Sequence, residues 1–201
     1  LNSQIVAPGQ LVVISGPSGA GKSTICKILV SQNSDFSLSV SATTRSARKN
    51  EQEGVDYFFL SEKEFIEHIE KEDFIEYEMV HGHYYGTLSH QIEGIIGSSN
   101  TVLLDIDVNG ALKLKKNFPQ AILIFIQPPS LRELKRRLRG RKSDTEEQIK
   151  NRLARLPDEL EKAKYFDHQI VNRDLDNTIK QITVIIRQKQ KREQNVPHQS
   201  L

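Results

Sequence analysis

The residues best suited to chemistry are Gly16-Pro17-Ser18-Gly19-Ala20-Gly21-Lys22-Ser23, a Gly-x-x-x-x-Gly-Lys-Ser stretch followed by Thr24. Glycines at this spacing let backbone N–H groups turn inward around phosphate oxygens, and a helix beginning behind them adds its partial positive charge. Lys22 then reaches the β- and γ-phosphates, and Ser23 offers its hydroxyl to Mg²⁺. The stretch reads as a nucleoside triphosphate site. A second set is Ser41-Ala42-Thr43-Thr44-Arg45-Ser46-Ala47-Arg48, with two arginines three residues apart. Paired guanidiniums suit the phosphate of a second nucleotide, because each makes paired charged hydrogen bonds. A solvated basic turn would have the same spacing. The third set is Leu103-Leu104-Asp105-Ile106-Asp107, an apolar run ending in carboxylates. This is the layout of a Walker B element at the carboxyl edge of a sheet, where ligands bind; a strand ended by turn-forming aspartates reads the same way. Spacing does not choose between Asp105 and Asp107.

A phosphate loop needs a strand before it and a helix after it. The apolar run Leu11–Ile14 supplies the strand, and Ile25, Ile28 and Leu29 share one face of a following helix. Further on, strand and helix patterns alternate, which argues for a parallel sheet covered on both faces. Strands are expected at Phe36–Val40, Tyr57–Leu60, Phe74–Val80, Val102–Ile106, Ala121–Ile126 and Gln169–Val171. Ser61-Glu62-Lys63-Glu64 is a capping box opening a helix with Phe65, Ile66 and Ile69. Other helices are expected at Leu88–Ile96, Val108–Lys116, Leu131–Leu138 and Leu175–Gln190. Asp144 with Glu147 is expected to open a long helix to about Lys164, kinked or interrupted at Pro157.

The chain of 201 residues suits one α/β domain, and its formal charge of +2 does not by itself imply nucleic-acid or membrane binding. The distribution of charge is more informative. Residues 49–78 hold eleven acidic side chains against three lysines, whereas 132–155 hold ten Lys or Arg against four acids. A single cysteine, Cys26, excludes an internal disulfide framework and fits a small core residue. No run approaches the roughly 18–20 apolar residues of a membrane helix. The first residues carry no basic-then-apolar signal pattern, so a cytoplasmic location is expected.

The acidic, short-stranded region 41–90 and the basic region 132–156 both interrupt the α/β alternation and read as insertions. Two insertions in a phosphate-loop sheet suggest a kinase closing over two nucleotides. A GTPase would carry an Asn-Lys-x-Asp segment, and the chain has none. The arginine segment, Asp56-Tyr57, Phe74-Ile75-Glu76 and His81-Gly82-His83-Tyr84-Tyr85-Gly86-Thr87 follow one another in fixed order. Taken with the loop, they resemble the guanylate kinase family from about Gly9 to about Ile186.

That resemblance implies an α/β P-loop kinase with a parallel sheet flanked by helices, an inserted GMP-binding subdomain and a helical lid. Its core would be 1–40, 91–131 and 157–201, its GMP-binding insertion 41–90 and its lid 132–156. It implies Mg²⁺-dependent transfer of the γ-phosphoryl group of ATP to GMP, with dGMP as a further acceptor, in purine nucleotide metabolism. Gly16 to Thr24 would hold ATP, with Asn172 near the adenine. Arg45, Arg48, Tyr57 and Tyr85 match the residues that hold the GMP phosphate, and Glu76 the carboxylate that reads guanine, with Ser41 and Thr87 completing the base pocket. Asp105 and Asp107 would lie near the acceptor and the metal, and Arg137, Arg141 and Arg152 match lid arginines acting with Lys22 and Arg45 on the transferring phosphoryl group. No nucleic acid, membrane or obligate protein partner is expected. The chain departs from the family pattern at Ala47, Asn50, Tyr77-Glu78, His83, Asn109 and Arg173, none of them an expected ligand. A scaffold module of the same fold, or a kinase with another phosphorylated acceptor, are the competing readings.

Overall fold

The computed structural model describes residues 9–96, 101–140 and 145–194; Arg141 and Asp144 lie outside the described residues. In chain order the first half comprises β1 (Leu11–Ser15), α1 (Lys22–Gln32), β2 (Phe36–Leu38), β3 (Ala42–Thr43), β4 (Phe58–Phe59) and α2 (Glu62–Glu70). A hairpin follows, β5 (Phe74–Val80) and β6 (His83–Leu88), leading into α3 (Ser89–Ile96). The second half runs β7 (Thr101–Asp105), α4 (Val108–Asn117), β8 (Ile122–Gln127), α5 (Leu131–Gly140), α6 (Glu146–Ala154), α7 (Leu156–Lys162), β9 (His168–Val171) and α8 (Leu175–Gln194).

Strands β2-β7-β1-β8-β9 form one sheet in that order, parallel throughout. Such strands are buried on both faces and need apolar residues at every position, which Leu11–Ile14 and Ile122–Ile126 supply. The alternation of the strand then decides which core each residue joins. Val12, Ile14, Leu103, Ile124 and Ile126 pack with Ile25 and Leu29 of α1 and Ile179, Ile182 and Ile186 of α8. Leu11, Val13, Leu104, Leu123 and Phe125 face the other way, onto Ile92, Ala111, Leu114 and Phe166. Cys26 belongs to the first of these cores and is fully buried; burial pushes its thiol well up, so it serves as packing and not as a nucleophile.

A second sheet, β4-β3-β6-β5, lies within the acidic region. Its β5–β6 hairpin turns at His81 and Gly82, both at positive φ as a two-residue hairpin loop demands. Strands β3 and β6 were absent from the expected pattern. In β6 Tyr84 and Leu88 face Phe65 of α2, but the inward residue between them is Gly86, which breaks the apolar alternation. A Cβ there would come within about 3 Å of both Phe65 and Phe74, whose rings stack at 4.4 Å. The opposite face of β6 is left with Tyr85 and Thr87. The Ser61–Glu64 capping box forms as expected, with the Ser61 hydroxyl accepting from the Glu64 amide and the Glu64 carboxylate from the Ser61 amide.

The long helix after residue 144 is divided. Thr145 caps α6 in a box with Gln148, one residue beyond the expected start. The chain breaks at Arg155, and Pro157 falls in the first turn of α7, where its missing N–H leaves no bond unmade. Leu134, Leu138 and Ile149 bind α5 to α6 in a small core of their own.

Candidate active site

The carboxyl ends of the parallel strands share one edge, and β1 delivers the loop there, β7 Asp105 and β9 Asn172. Gly16 adopts φ 139°, and a Cβ on it would lie 2.3 Å from the Ile126 carbonyl oxygen, so only glycine fits between the loop and β8. Gly21 caps α1 in the left-handed region with no side-chain cap and no acidic residue in the first turn. The helix therefore turns its N-terminal N–H groups toward the loop, which favours an anion. Lys22 folds back onto its own loop, its Nζ donating to the carbonyls of Gly16 (2.9 Å) and Pro17 (3.4 Å). Ser23 donates its hydroxyl to Asp105 Oδ2 at 2.5 Å.

That contact separates the two aspartates. Asp105 stands beside the start of α1, whereas Asp107 caps α4, accepting from the amides of Asn109 (2.8 Å) and Gly110 (3.3 Å). Asp107 also lies close to Glu76. Burial, with smaller contributions of opposite sign from its amide bonds, leaves its carboxyl above the usual range.

Glu76 on β5 is buried and accepts from the Thr87 hydroxyl at 2.6 Å, the register pairing Glu76 with Thr87 across the hairpin. Ser41 reaches the level of Thr87 through the pairing of Ala42 with Gly86. Burial raises the Glu76 carboxyl to about 7; the Thr87 bond works against this and Asp107 adds to it. Helix α4 packs on β5 here, and a Cβ on Gly110 would sit 2.4 Å from Glu76 Oε2. Glycine at the first turn of α4 thus keeps space for the carboxylate.

The arginine pair lies beside this pocket. Arg45 donates from Nε to the Tyr85 hydroxyl (3.2 Å) and from Nη1 and Nη2 to both oxygens of Glu51 (2.9 and 3.0 Å). Its guanidinium also sits 5.3 Å from the centre of the Tyr57 ring, which meets Tyr85 edge-on. Arg48 reaches the same carboxylate through its amide (2.8 Å) and less closely through Nη1 (3.4 Å). Burial would raise the Glu51 carboxyl, but the bonds from Arg45 and the Arg48 amide hold it below its ordinary value. Burial, and next the charge of Asp105, push the Tyr57 hydroxyl well up, so it stays a donor at neutral pH. Tyr57 therefore feels the same carboxylate that meets Ser23, which joins the arginine pocket to the loop.

Two arginines of the basic region close onto the loop. Arg152 donates to the Ser18 hydroxyl at 2.6 Å, and Arg137 to the carbonyls of Ala20 (3.2 Å) and Asn172 (3.3 Å). Asn172 is itself buried and donates to Ala20 at 2.9 Å. Every described residue expected from the sequence to bind a nucleotide or the metal thus lies around the loop, the arginine pocket or the Glu76 pocket. Two further acids belong here. Glu51 had no distinguishing signal among its acidic neighbours. Glu159, in α7, is pushed up by burial and feels Lys22 and Arg155; it sits in a stretch that reads as an ordinary charged helix. Of the departures from the family pattern, Ala47, Asn50, Tyr77, His83 and Arg173 are exposed. Asn109 accepts from Lys162 (2.9 Å), and Glu78 pairs with Lys113 (2.7 Å).

Comparison with known proteins agrees with this geometry. The guanylate kinase family model matches residues 8–189. A guanylate kinase of Fusobacterium nucleatum subsp. nucleatum is 47% identical over 178 residues, 89% of this chain and 96% of that protein. One from Synechocystis sp. is 45% identical over 183 residues, 91% of this chain and 96% of that protein. Among solved structures, the guanylate kinase from Anaplasma phagocytophilum superposes with a TM-score of 0.77 at 33% identity, covering 92% of this chain and 87% of that one. With the match running from before the phosphate loop to within α8, the chain belongs to the guanylate kinase family.

Proposed function

We propose that this chain transfers the γ-phosphoryl group of ATP to GMP, and to dGMP, giving ADP and the guanosine diphosphate. The observation that carries the reading is Glu76: a buried carboxylate bonded to Thr87, with room kept for it by Gly110. Guanine offers two donors to one carboxylate, at N1–H and the 2-amino group. Adenine offers no such pair and would leave the carboxylate unpaired at a cost. Arg45, Arg48, Tyr57 and Tyr85 would hold the phosphate of GMP beside that pocket. The loop from Gly16 to Thr24 would hold ATP, with Asn172 on its adenine side. The division into a core (1–40, 91–131, 157–201), a GMP-binding insertion (41–90) and a lid (132–156) is part of the same proposal.

The residues at the start of α1 fit a divalent cation. Ser23 and Asp105 bring hard oxygen donors together at 2.5 Å, next to where the phosphates would lie. Ser23 would hold Mg²⁺ together with phosphates and waters, and the ion would neutralise charge on the donor phosphates. Lys22 would exchange the carbonyls of Gly16 and Pro17 for phosphate oxygens. Arg137 and Arg152, already on the loop, would face the transferring group, and the family resemblance assigns Arg141 the same role. The GMP phosphate is already an anion, so no side-chain base is required, and the protein contributes position and charge.

The test is a coupled ADP-release assay with ATP, Mg²⁺ and each of GMP, AMP, CMP and UMP. Turnover with GMP alone is expected. Comparable turnover with AMP would overturn the role of Glu76, and no turnover with any acceptor would overturn the kinase reading.

A further inference from the structure

We propose that Lys162 is a positioning residue that ties the lid to the first turn of α4 beside Glu76, so that occupation of the ATP side and binding of GMP favour each other. This rests on the reading of Glu76 as the guanine-binding carboxylate and of the loop as the ATP site. Helix α7 spans only Leu156–Lys162, about 10 Å, and its two ends are held by different parts of the molecule. Its first residue, Leu156, packs on the small core that Leu134, Leu138 and Ile149 form between α5 and α6. Its last, Lys162, donates from Nζ to Asn109 Oδ1 at 2.9 Å, in the first turn of α4. Directly behind it, Ala163 and Phe166 are buried with Ala111 and Leu114 of α4. Two turns of helix therefore join the lid to α4.

The contact falls where the guanine pocket has no slack. Asn109 gives its own amide to Asp107 at 2.8 Å, and the next residue is Gly110, whose Cβ position lies 2.4 Å from Glu76 Oε2 and 3.2 Å from Asp107 Oδ2. The rest of α4 is held elsewhere. Lys113 bonds to Glu78 (2.7 Å) and the Tyr77 carbonyl (3.3 Å), and Lys115 to the Ala121 carbonyl (2.6 Å) and Asp167 (2.9 Å). Phosphates entering the loop would take over Arg152, which bonds to Ser18, and Arg137, which bonds to the carbonyls of Ala20 and Asn172. Helices α5 and α6 are then fixed by the phosphate charge, α7 is fixed with them through Leu156, and Lys162 steadies the turn that carries Asp107 and Gly110. GMP meets a turn already ordered and loses less conformational freedom on binding. By linkage, GMP tightens ATP by the same factor.

Isothermal titration of GMP into wild type, Lys162→Met and Lys162→Arg, each with and without a saturating non-hydrolysable ATP analogue and Mg²⁺, reads the coupling. Methionine keeps an apolar stem and removes the donor, whereas arginine keeps one. In wild type the analogue is expected to lower the Kd for GMP at least about fivefold. In Lys162→Met that factor is expected to fall below about twofold, with the Kd for GMP alone within about twofold of wild type. Lys162→Arg is expected to keep most of the coupling. Hydrogen exchange supplies the second readout: the analogue is expected to protect the amides of residues 107–111 in wild type and not in Lys162→Met. A wild type without coupling, or a Lys162→Met variant that keeps it, would overturn the proposal. GMP binding weakened by one factor with and without the analogue would also overturn it, by making Lys162 a support of the fold alone. Wild type that binds both nucleotides without forming GDP would sink the kinase reading, while the coupling comparison still decides the role of Lys162.

Discussion

Replacing Glu76 with glutamine keeps the shape of the side chain and removes its charge. In the folded protein burial raises the carboxyl to about 7, the Thr87 bond works against the rise and Asp107 adds to it, from an ordinary value of 4.5. The folded state therefore keeps a proton that the unfolded chain gives up as pH climbs from 4.5 to about 7. Stability falls through that window and is level above it. The displacement corresponds to about 3 kcal/mol. Glu76→Gln is spared this penalty and loses about 1 kcal/mol through its weaker bond to Thr87. At pH 8 the variant is expected to be the more stable protein by about 2 kcal/mol, or about 4–8 °C in Tm for a chain of this size. Near pH 5, where the wild-type carboxyl is protonated in the fold, most of that advantage is expected to vanish.

Thermal melts followed by circular dichroism at pH 5 and pH 8 measure this directly. A variant that melts below wild type by the same margin at both pH values would refute the reasoning, because the ionisation of Glu76 would then cost nothing. Binding is expected to move the opposite way. At pH 8 the Kd of the variant for GMP is expected to rise about a hundredfold, since an amide accepts one guanine donor and opposes the other. Its affinity for ATP is expected to stay as in wild type. Gained stability with lost GMP binding is the combination that a solvated or purely structural glutamate would not produce.

Two further substitutions probe the neighbouring parts. Gly110→Ala is expected to weaken GMP binding at least about tenfold and leave ATP binding intact, because its Cβ would fall 2.4 Å from Glu76 Oε2; equal losses for both nucleotides in titrations would argue against it. Lys22→Ala is expected to slow transfer by at least about a hundredfold while Tm shifts little, since its Nζ bonds to carbonyls of its own loop. Near-normal turnover would remove Lys22 from the chemistry.

The phosphate loop was legible in the sequence because its requirements are local: an apolar strand, glycines at fixed spacing, and a helix. The parallel sheet was legible for a similar reason, as Leu11–Ile14 and Ile122–Ile126 can only be buried on both faces. Strand β6 was not, because its inward face includes Gly86, whose place is set by Phe65 and Phe74 from other elements. Asp105 and Asp107 could not be told apart, since each simply ends an apolar run. Their roles divide only when α1 brings Ser23 to the first and α4 takes the second as its cap.

The same reasoning explains why the acceptor side depended on family resemblance. Residues 49–78 contain eleven acids, and by type and spacing Glu51, Glu76 and Glu78 are alike. The fold gives them three different partners: two arginines for Glu51, a lysine for Glu78, and for Glu76 a threonine, with no cation among the described residues in hydrogen-bond reach. The first two are neutralised where they stand. Burial and a neighbouring acid, Asp107, oppose the ionisation of Glu76. A charge placed against that opposition destabilises the free protein, and a ligand with two donors in the plane of the carboxylate offsets it on binding. Guanine is such a ligand, and on this reading the pairing of the Glu76 carboxylate favours GMP over AMP.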